Sequence, residues 1–320
     1  MPSSREVKNR IRSVKNIGQI TRALEAVSAS RVRKAQAKVL ASRDYAQKAM
    51  EILMNIQAAT AGSGEPLHPL LAQREDVKNI MVVLITSDRG LAGAFNGNII
   101  RVAQRFVRQA QKPIQWVTVG RKGRDAMVRM GQNVVASFID IPDELRISDI
   151  SPVAQLAKDA FTSGQVDDVF VAYTDFINTL TQRPLVLPWL PMVPHDISAY
   201  DDVRKLAEVT TTSHQDYEFE PDTASIIEQI VPRFTDVVLY QCYLESKASE
   251  HSARMVAMRN ASDNAGQLVE DLTLLYNKAR QAAITSEILD IVGGAESLQD
   301  TLDKKAASIL EAAEASASGD

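Results

Sequence analysis

The feature that most constrains this chain is the near absence of helix breakers over a long stretch at each of its ends. No proline stands between Pro2 and Pro66, and Gly18 is the only glycine in the first 61 residues. Towards the other end, only Gly266 interrupts residues 237–292. Proline and glycine are the residues that most disfavour helix interiors, so each stretch is expected to form one continuous helix.

Both stretches carry a narrow seam of apolar or small residues spaced three and four apart, which is typical of coiled-coil helices. In the first stretch the seam consists of Val7, Ile11, Val14, Ile17, Ile20, Leu24, Val27, Val32, Ala35, Val39, Ala46, Ala49, Leu53 and Ile56. In the second it consists of Val237, Gln241, Leu244, Ala248, His251, Met255, Met258, Ser262, Ala265, Val269, Leu272, Tyr276, Ala279 and Ala283. Neither helix, each roughly 80 Å long or more, buries enough apolar surface to be stable alone. We therefore predict an antiparallel coiled coil formed by the two ends of the chain.

The middle of the chain has a different pattern, in which short apolar runs alternate with helical segments. The run at 80–86 is apolar throughout, as expected of a strand that is buried on both faces. Further strands are predicted at 115–119, 134–139, 169–174 and 183–189, with helices at 98–111, 122–130 and 152–163 between them. This alternation is typical of a Rossmann-like, mainly parallel sheet.

The predicted fold class is therefore α/β plus a long coiled coil, with the sheet domain inserted between the two terminal helices. The predicted segments are an N-terminal helix at 1–62, a Rossmann-like domain at 77–200 and an acidic connecting loop at 201–222, followed by a C-terminal helix at 223–297 and an acidic tail at 298–320.

The charges are distributed unevenly. The formal net charge is −4, yet residues 1–48 hold twelve basic against three acidic side chains, and residues 287–320 hold eight acidic against two basic. The basic end has three possible interpretations: a nucleic-acid arm, a solvated face around the seam, or a surface that docks on an acidic partner. DNA-binding basic helices of the zipper type carry no long returning helix, which argues against the first.

Several other classes of protein are disfavoured by composition. The single cysteine, Cys242, allows no disulfide within the chain, and the four histidines lack metal-ligand spacing. No apolar run approaches the ~20 residues of a membrane span, and we expect no secretory signal at the start. We therefore expect no metal, no disulfide and no membrane-spanning segment.

A Gly-rich loop at 87–97 follows the first strand and precedes a helix, where phosphates of nucleotides often bind. It is neither a dinucleotide fingerprint nor a P-loop, and a tight turn explains its glycines equally well. No set of nucleophile, base and orienting group can be assembled, so we expect no catalytic residue and no cofactor. A nucleotide-binding α/β enzyme with helical arms remains the alternative at this point.

Five motifs together resemble the γ subunit of F-type ATP synthases, of the bacterial type. The most specific is the segment 284–297, ITSEILDIVGGAES, which satisfies the C-terminal signature of that family at every fixed position. The others are YNKARQA at 276–282, SEHSARMVAM at 249–258, SDRGL at 87–91, and RIRSVKN with QITRA at 10–16 and 19–23. Any one of these motifs alone would be unspecific, whereas together they are highly specific, and the resemblance extends over nearly the whole chain.

This resemblance implies a function without catalysis by the chain itself. The chain would be the central rotor shaft of a proton-translocating ATP synthase complex, coupling rotation of the membrane c-ring to conformational changes of the catalytic β subunits. Its implied partners are the α and β subunits of the α3β3 hexamer, the ε subunit and the c-ring of Fo, with no nucleic acid. Its implied location is peripheral, on the cytoplasmic face of the bacterial plasma membrane.

The resemblance also implies roles for individual residues. Seven positions match those that contact the β subunits: Leu24, Arg22, Arg254, Arg280, Gln281, Thr285 and Glu287. Three in the acidic loop match the foot of the rotor, where the c-ring and ε bind: Tyr217, Phe219 and Glu220. Two departures from the family are Ala92, where a cysteine is common, and Gly18, which we expect to soften the shaft locally.

Overall fold

The computed structural model describes residues 4–60, 68–143, 145–192 and 223–317. Two helices dominate it, α1 at the start of the chain and α5 at the end, and α5 continues without a break through the acidic tail to Ala317. The helices are α1 (Ser4–Thr60), α2 (Phe95–Ala110), α3 (Arg121–Arg129), α4 (Ile147–Thr162) and α5 (Thr223–Ala317). The strands are β1 (Ile80–Ile85), β2 (Ile114–Val119), β3 (Val134–Phe138), β4 (Asp168–Phe176) and β5 (Gln182–Leu190).

The five strands form one sheet in the order β3-β2-β1-β4-β5. All neighbours are parallel except β4 and β5, which form an antiparallel pair at one edge. Every residue of β1 is buried, as its unbroken apolar run predicts for the centre of a sheet covered on both faces. The predicted fold class is thus confirmed, and the hairpin at the edge explains why the sheet is mainly rather than wholly parallel.

The two faces of the sheet are covered by different helices. Alternate residues of β1 separate two hydrophobic cores, with Val82 among those that pack against α2 and α3, and Val83 among those that pack against α4 and α5. Val39 of α1 belongs to the second core, so both terminal helices share apolar packing with the sheet. The long helices are therefore bound to the α/β domain by a common core rather than by surface contacts alone.

The chain divides into two compact units, one of residues 23–259 and one of residues 1–22 with 260–320, and each contains a part of both long helices. In the first unit, Ser42 Oγ donates to Gln241 Oε1 at 2.6 Å, whereas Arg31 and Lys247 meet on the same carboxylate of Asp143. Residues later in α5 are thus paired with residues earlier in α1. The two helices run antiparallel, as predicted from the seams.

In the second unit, Gly18 lies where the two helices approach closely. A Cβ atom on Gly18 would stand 3.4 Å from the Cβ of Ala265, and Ser262 Oγ donates to the Gly18 carbonyl at 3.5 Å. Gly18 and the small seam residues Ser262 and Ala265 are what allow this approach. The glycine that we expected to soften the shaft is also a packing residue.

None of the helices within the described part of the chain combines the length and apolarity needed to cross a membrane.

Candidate functional site

The carboxyl edge of the sheet is the place where α/β folds of this kind bind ligands. Helices α2 and α3 cover one face and α4 the other, so the direction of winding changes between β1 and β4. Loops leave the sheet in opposite directions at such a point and open a crevice above the strand ends. A nucleotide-binding enzyme would need this crevice.

Helix α5 occupies the crevice in this protein. Ser249 Oγ donates to the carbonyl oxygen of Thr174 in β4 at 3.1 Å. One turn further on, Arg254 donates from Nε and Nη2 to the carbonyl oxygen of Gly90 in the loop after β1, at 3.4 Å each. A Cβ on Gly93 would stand 3.6 Å from the Cβ of Ala257. The long helix therefore lies across the strand ends where a cofactor would otherwise bind.

The Gly-rich loop itself is closed by the chain's own groups. Asp88 accepts hydrogen bonds from the backbone N–H groups of Arg121 at 2.9 Å and Asp140 at 3.1 Å, so a carboxylate already stands at the N-terminus of α3. Gly120 has φ +98°, and a Cβ there would stand 2.3 Å from the carbonyl oxygen of Thr86. Gly120 thus makes a close approach of β2 to the end of β1, and the backbone N–H at the start of α3 already has a carboxylate partner.

A cluster of charged side chains ties α5 to α1 and to two loops of the α/β domain. We call it the junction cluster, and it consists of Arg31, Asp143, Lys247, Glu250, His251 and Arg254. Glu250 lies at its centre with 5% of its surface exposed. Its Oε1 accepts from Arg254 Nη2 at 2.8 Å, and its Oε2 accepts from Lys247 Nζ at 3.2 Å.

Asp143 connects the cluster to α1. It follows β3, and its Oδ2 pairs with Arg31 Nη1 of α1 at 2.5 Å. Its Oδ1 lies 3.8 Å from Lys247 Nζ and 3.9 Å from His251 Nε2, both on α5. A single loop carboxylate thus faces cations of both long helices.

Burial and neighbouring charges set the protonation of the cluster. Burial, with the cations Lys247 and Arg254 nearby, lowers the pKa of His251 to about 4, against the attraction of Glu250 and Asp143. Burial disfavours the ionised forms of Glu250 and Lys247 as well, but each is outweighed by its partners, so the pKa of Glu250 is lowered and that of Lys247 is raised. At neutral pH the cluster therefore contains a neutral imidazole among ionised carboxylates and cations.

Further contacts fix the α/β domain along the preceding turns of α5. Lys158 Nζ of α4 pairs with Asp236 Oδ1 at 2.7 Å, with both side chains largely buried. Trp189 Nε1 of β5 donates to the carbonyl oxygen of Thr235 at 3.2 Å. Together with the crevice contacts, these bonds hold α5 to the domain from residue 235 to residue 257.

The predicted site residues fall into three groups. Leu24 is half-buried and belongs to the same unit as Arg254, whose side chain is only 13% exposed and is held by Glu250 and Gly90. The exposed residues, which belong to the other unit, are Arg22, Arg280, Gln281, Thr285 and Glu287. The expected contacts at the rotor foot, Tyr217, Phe219 and Glu220, lie outside the described residues.

The sequence did not single out the carboxylates that organise the junction cluster. Glu250 and His251 stand inside a motif that we quoted, and the place of His251 on the seam, with Glu250 beside it, was a signal that they would be buried. Asp143 stands in a loop between β3 and α4 with no motif around it, so no signal indicated that it would meet α1 and α5.

The part of α5 that follows residue 280 exposes a series of large apolar side chains. All residues from 280 to 306 are exposed within the described part of the chain. The large apolar ones are Ile284, Ile288, Leu289, Ile291, Val292, Leu298 and Leu302. Contiguous exposed apolar surface of this kind indicates a surface that another chain covers.

Comparisons with known proteins point in the same direction. A family model described as ATP synthase matches residues 3–298. The ATP synthase gamma chain of Chloroflexus aurantiacus is 45% identical over 301 residues, which cover 93% of this chain and 99% of that one. The ATP synthase gamma chain of Dehalococcoides mccartyi is 45% identical over 298 residues, which cover 93% and 100%.

Solved structures share the fold at lower identity. A chain of the Euglena gracilis mitochondrial ATP synthase, from an OSCP/F1/c-ring structure in rotational state 3, matches with a TM-score of 0.62 and 19% identity over 92% of this chain and 94% of that one. A chain from the central stalk and c-ring of the Tetrahymena thermophila mitochondrial ATP synthase matches with a TM-score of 0.55 and 24% identity, over 76% and 99%.

Proposed function

This chain belongs to the ATP synthase family as a gamma chain, and from that premise we propose how it works as the central shaft of the complex. It is a subunit of the central stalk of F1 and does not itself catalyse ATP synthesis or hydrolysis. The observation that supports the mechanism best is the seating of α5 in the crevice of the sheet, since this joins a domain that can be turned to a helix that can carry the turn.

The shaft works through stiffness and asymmetry. Two helices packed along a seam resist bending and twisting better than either helix alone, and the contacts from residue 235 to residue 257 keep the domain from slipping around α5. A two-helix rod has no threefold symmetry, so three identical catalytic subunits around it would each meet a different face. Different contacts stabilise different conformations of those subunits, which is how rotation and nucleotide binding become coupled.

We further propose specific partners. The tip of α5, with its exposed apolar side chains, would lie inside the α3β3 hexamer, and the α/β domain would face the ε subunit and the c-ring. The similar solved structures, which contain F1, a central stalk and a c-ring, support assembly in a complex of this kind. In a bacterium the chain would then be peripheral to the cytoplasmic face of the plasma membrane, attached through the c-ring.

The proposed contacts with the β subunits are those that the family motifs imply. Arg22 and Leu24 would meet the lever region of the β subunits, whereas Arg254 and a second set would meet loops of the β subunits. The second set is Arg280, Gln281, Thr285 and Glu287. Their exposure leaves their side chains available to another chain, whereas Arg254 would have to leave its partners within this chain. Tyr217, Phe219 and Glu220 are the proposed contacts with the c-ring and ε.

Reconstitution tests this function. The purified chain should show no ATPase activity, and it should confer rotary, cooperative ATP hydrolysis on an α3β3 preparation. Turnover of ATP by the chain alone, or an α3β3 complex whose rotation is unaffected by the chain, would contradict the proposal.

The individual contacts are tested in membranes. Arg254→Ala and Gln281→Ala should each reduce coupled ATP synthesis several-fold. The melting temperature should change little for Gln281→Ala, whose side chain is exposed, and should fall modestly for Arg254→Ala, which loses its bonds to Glu250 and Gly90 while Glu250 keeps Lys247. Full synthesis by both variants would show that these residues are not contacts.

The alternative of a nucleotide-binding enzyme with helical arms is wrong. The crevice that such an enzyme needs is filled by α5, and Asp88 occupies the N-terminus of α3. The relatives that match nearly the whole chain are gamma chains.

A further inference from the structure

All three guanidinium nitrogens of Arg254 have partners inside this chain. Its Nη2 donates to Glu250 at 2.8 Å, its Nε and Nη2 donate to the Gly90 carbonyl at 3.4 Å, and its Nη1 lies 3.4 Å from Nδ1 of His251. Because His251 is neutral at physiological pH, this ring nitrogen can accept a hydrogen bond from the guanidinium. A guanidinium bound in this way cannot at the same time make a bidentate contact with another chain.

The cluster is built so that Arg254 can leave it. The two carboxylate oxygens of Glu250 have separate partners, and when Oε1 loses Arg254, Oε2 retains Lys247 at 3.2 Å. Lys247 in turn faces Asp143, so the remaining charges still alternate. Gly90 is exposed, and water can therefore replace the guanidinium at its carbonyl oxygen. Departure of the arginine thus leaves no buried charge without a partner.

We infer that Glu250 is the holder of Arg254: it binds the guanidinium inside the chain and competes for it with a carboxylate of the stationary hexamer. This inference rests on the proposed function. It makes Glu250 a positioning residue, which itself touches no partner chain. Exchange between two carboxylates replaces one charge-assisted hydrogen bond by another, so the arginine can be caught and released as the shaft turns at little net cost in free energy.

The geometry predicts whether a change in the internal bond lengthens or shortens the pause of the rotating shaft. Weakening the internal bond biases the arginine towards the hexamer, which lengthens the pause at the angle where that contact forms. Strengthening the internal bond biases it towards Glu250 and shortens the pause.

Single-molecule rotation of the reconstituted α3β3 complex tests the inference with Glu250→Gln, which keeps the shape of the side chain and removes its charge. We expect the pause at one angle to lengthen about tenfold or more, the factor that one hydrogen bond to a charged group contributes. In the background of Arg254→Ala, the same substitution should leave the pause unchanged. A pause that is unchanged in the first case, or lengthened equally in both, overturns the inference.

Two further variants separate the holder from a merely structural residue. Glu250→Asp keeps the charge and should stay within about twofold of the wild type. Glu245→Gln is the matched control, because Glu245 is also buried on α5 and accepts from Gln241 at 2.8 Å rather than from Arg254. A pause lengthened as much by Glu245→Gln would mean general softening of the helix and would overturn the inference.

If the Glu250→Gln chain does not assemble with α3β3, Lys247→Met tests the same competition by strengthening the internal bond instead of weakening it. It removes the second cation from Glu250 and tightens the hold on Arg254, so the pause should shorten by a similar factor, and an unchanged pause would overturn the inference. Failure of the proposed function is recognised separately, because in that case the wild-type chain would not produce rotation at all.

Discussion

His251 offers the clearest test of the junction cluster. The ordinary pKa of an imidazole lies above that of a carboxylic acid and below those of lysine and arginine, so its titration can be observed separately. Only 4% of its surface is exposed, and burial next to Lys247 and Arg254 lowers its pKa from 6.5 to about 4. In the unfolded chain the imidazole binds a proton near pH 6.5, whereas in the folded chain it binds one only near pH 4. Between these values the unfolded state holds more protons, so the free energy of unfolding decreases as the pH falls.

The magnitude follows from the shift. A shift of about 2.5 units at roughly 1.4 kcal/mol per unit gives about 3 kcal/mol lost between pH 6.5 and pH 4. The pKa values of Glu250 and Asp167 are lowered as well, but their contributions are lost only below their ordinary values of 4.5 and 3.8. Between pH 5 and pH 6 the change of the free energy of unfolding with pH therefore comes from the histidines and not from these carboxylates.

Urea unfolding monitored by tryptophan fluorescence measures this slope. Trp116 and Trp189, the two tryptophans of the chain, are both buried in the same unit as His251. Between pH 5 and pH 6, His251→Gln should have a slope smaller than the wild type by one proton, which is about 1.4 kcal/mol per pH unit. His68→Gln is the control and should retain most of the slope, because His68 is only half-buried. Parallel slopes for His251→Gln and wild type would refute a neutral imidazole in the cluster.

Two other predictions concern packing. Gly18→Ala should stabilise the chain by about 0.5–1 kcal/mol, because alanine is the better helix former and the new Cβ meets Ala265 at an ordinary contact distance of 3.4 Å; thermal unfolding followed by circular dichroism measures it, and a lower melting temperature would contradict it. Asp236→Asn should cost about 2–4 kcal/mol in urea unfolding, since it leaves the buried ammonium of Lys158 without its carboxylate. The double variant Lys158→Met with Asp236→Leu should lose less free energy of unfolding than the single variant. An equal or larger loss would show that the broken ion pair is not what destabilises Asp236→Asn.

Much of the fold could be predicted because its signals are local. The buried strand β1 was predicted at 80–86 and lies at Ile80–Ile85, since an apolar run of that length between turn residues has few other uses. The antiparallel pairing of β5 with β4 could not be predicted in the same way. Both strands are apolar, and their relative direction depends on the short connection and on which sheet edge is free.

The candidate site was predictable only in part. Arg254 was identified through its motif. The bonds that its guanidinium makes to Glu250 and Gly90, however, depend on a helix and a loop that are far apart in the sequence. The nucleotide alternative stayed open for the same reason. A Gly-rich loop after a strand has the same pattern whether it binds a phosphate or, as here, lies against α5 through Gly90 and caps α3 through the carboxylate of Asp88.

The sequence by itself determined that two long helices form and that they pair, because helix breakers are absent and the seam repeats along each stretch; both properties concern residues within a few positions of one another. Only the tertiary structure decided that α5 crosses the carboxyl edge of the sheet and that Asp143 and Glu250 collect the cations of both helices. The energy of an ion pair and the pKa of a buried group depend on which charges are adjacent in space and on how much water reaches them. Neither the energy of an ion pair nor the pKa of a buried group can be read from a periodicity in the sequence.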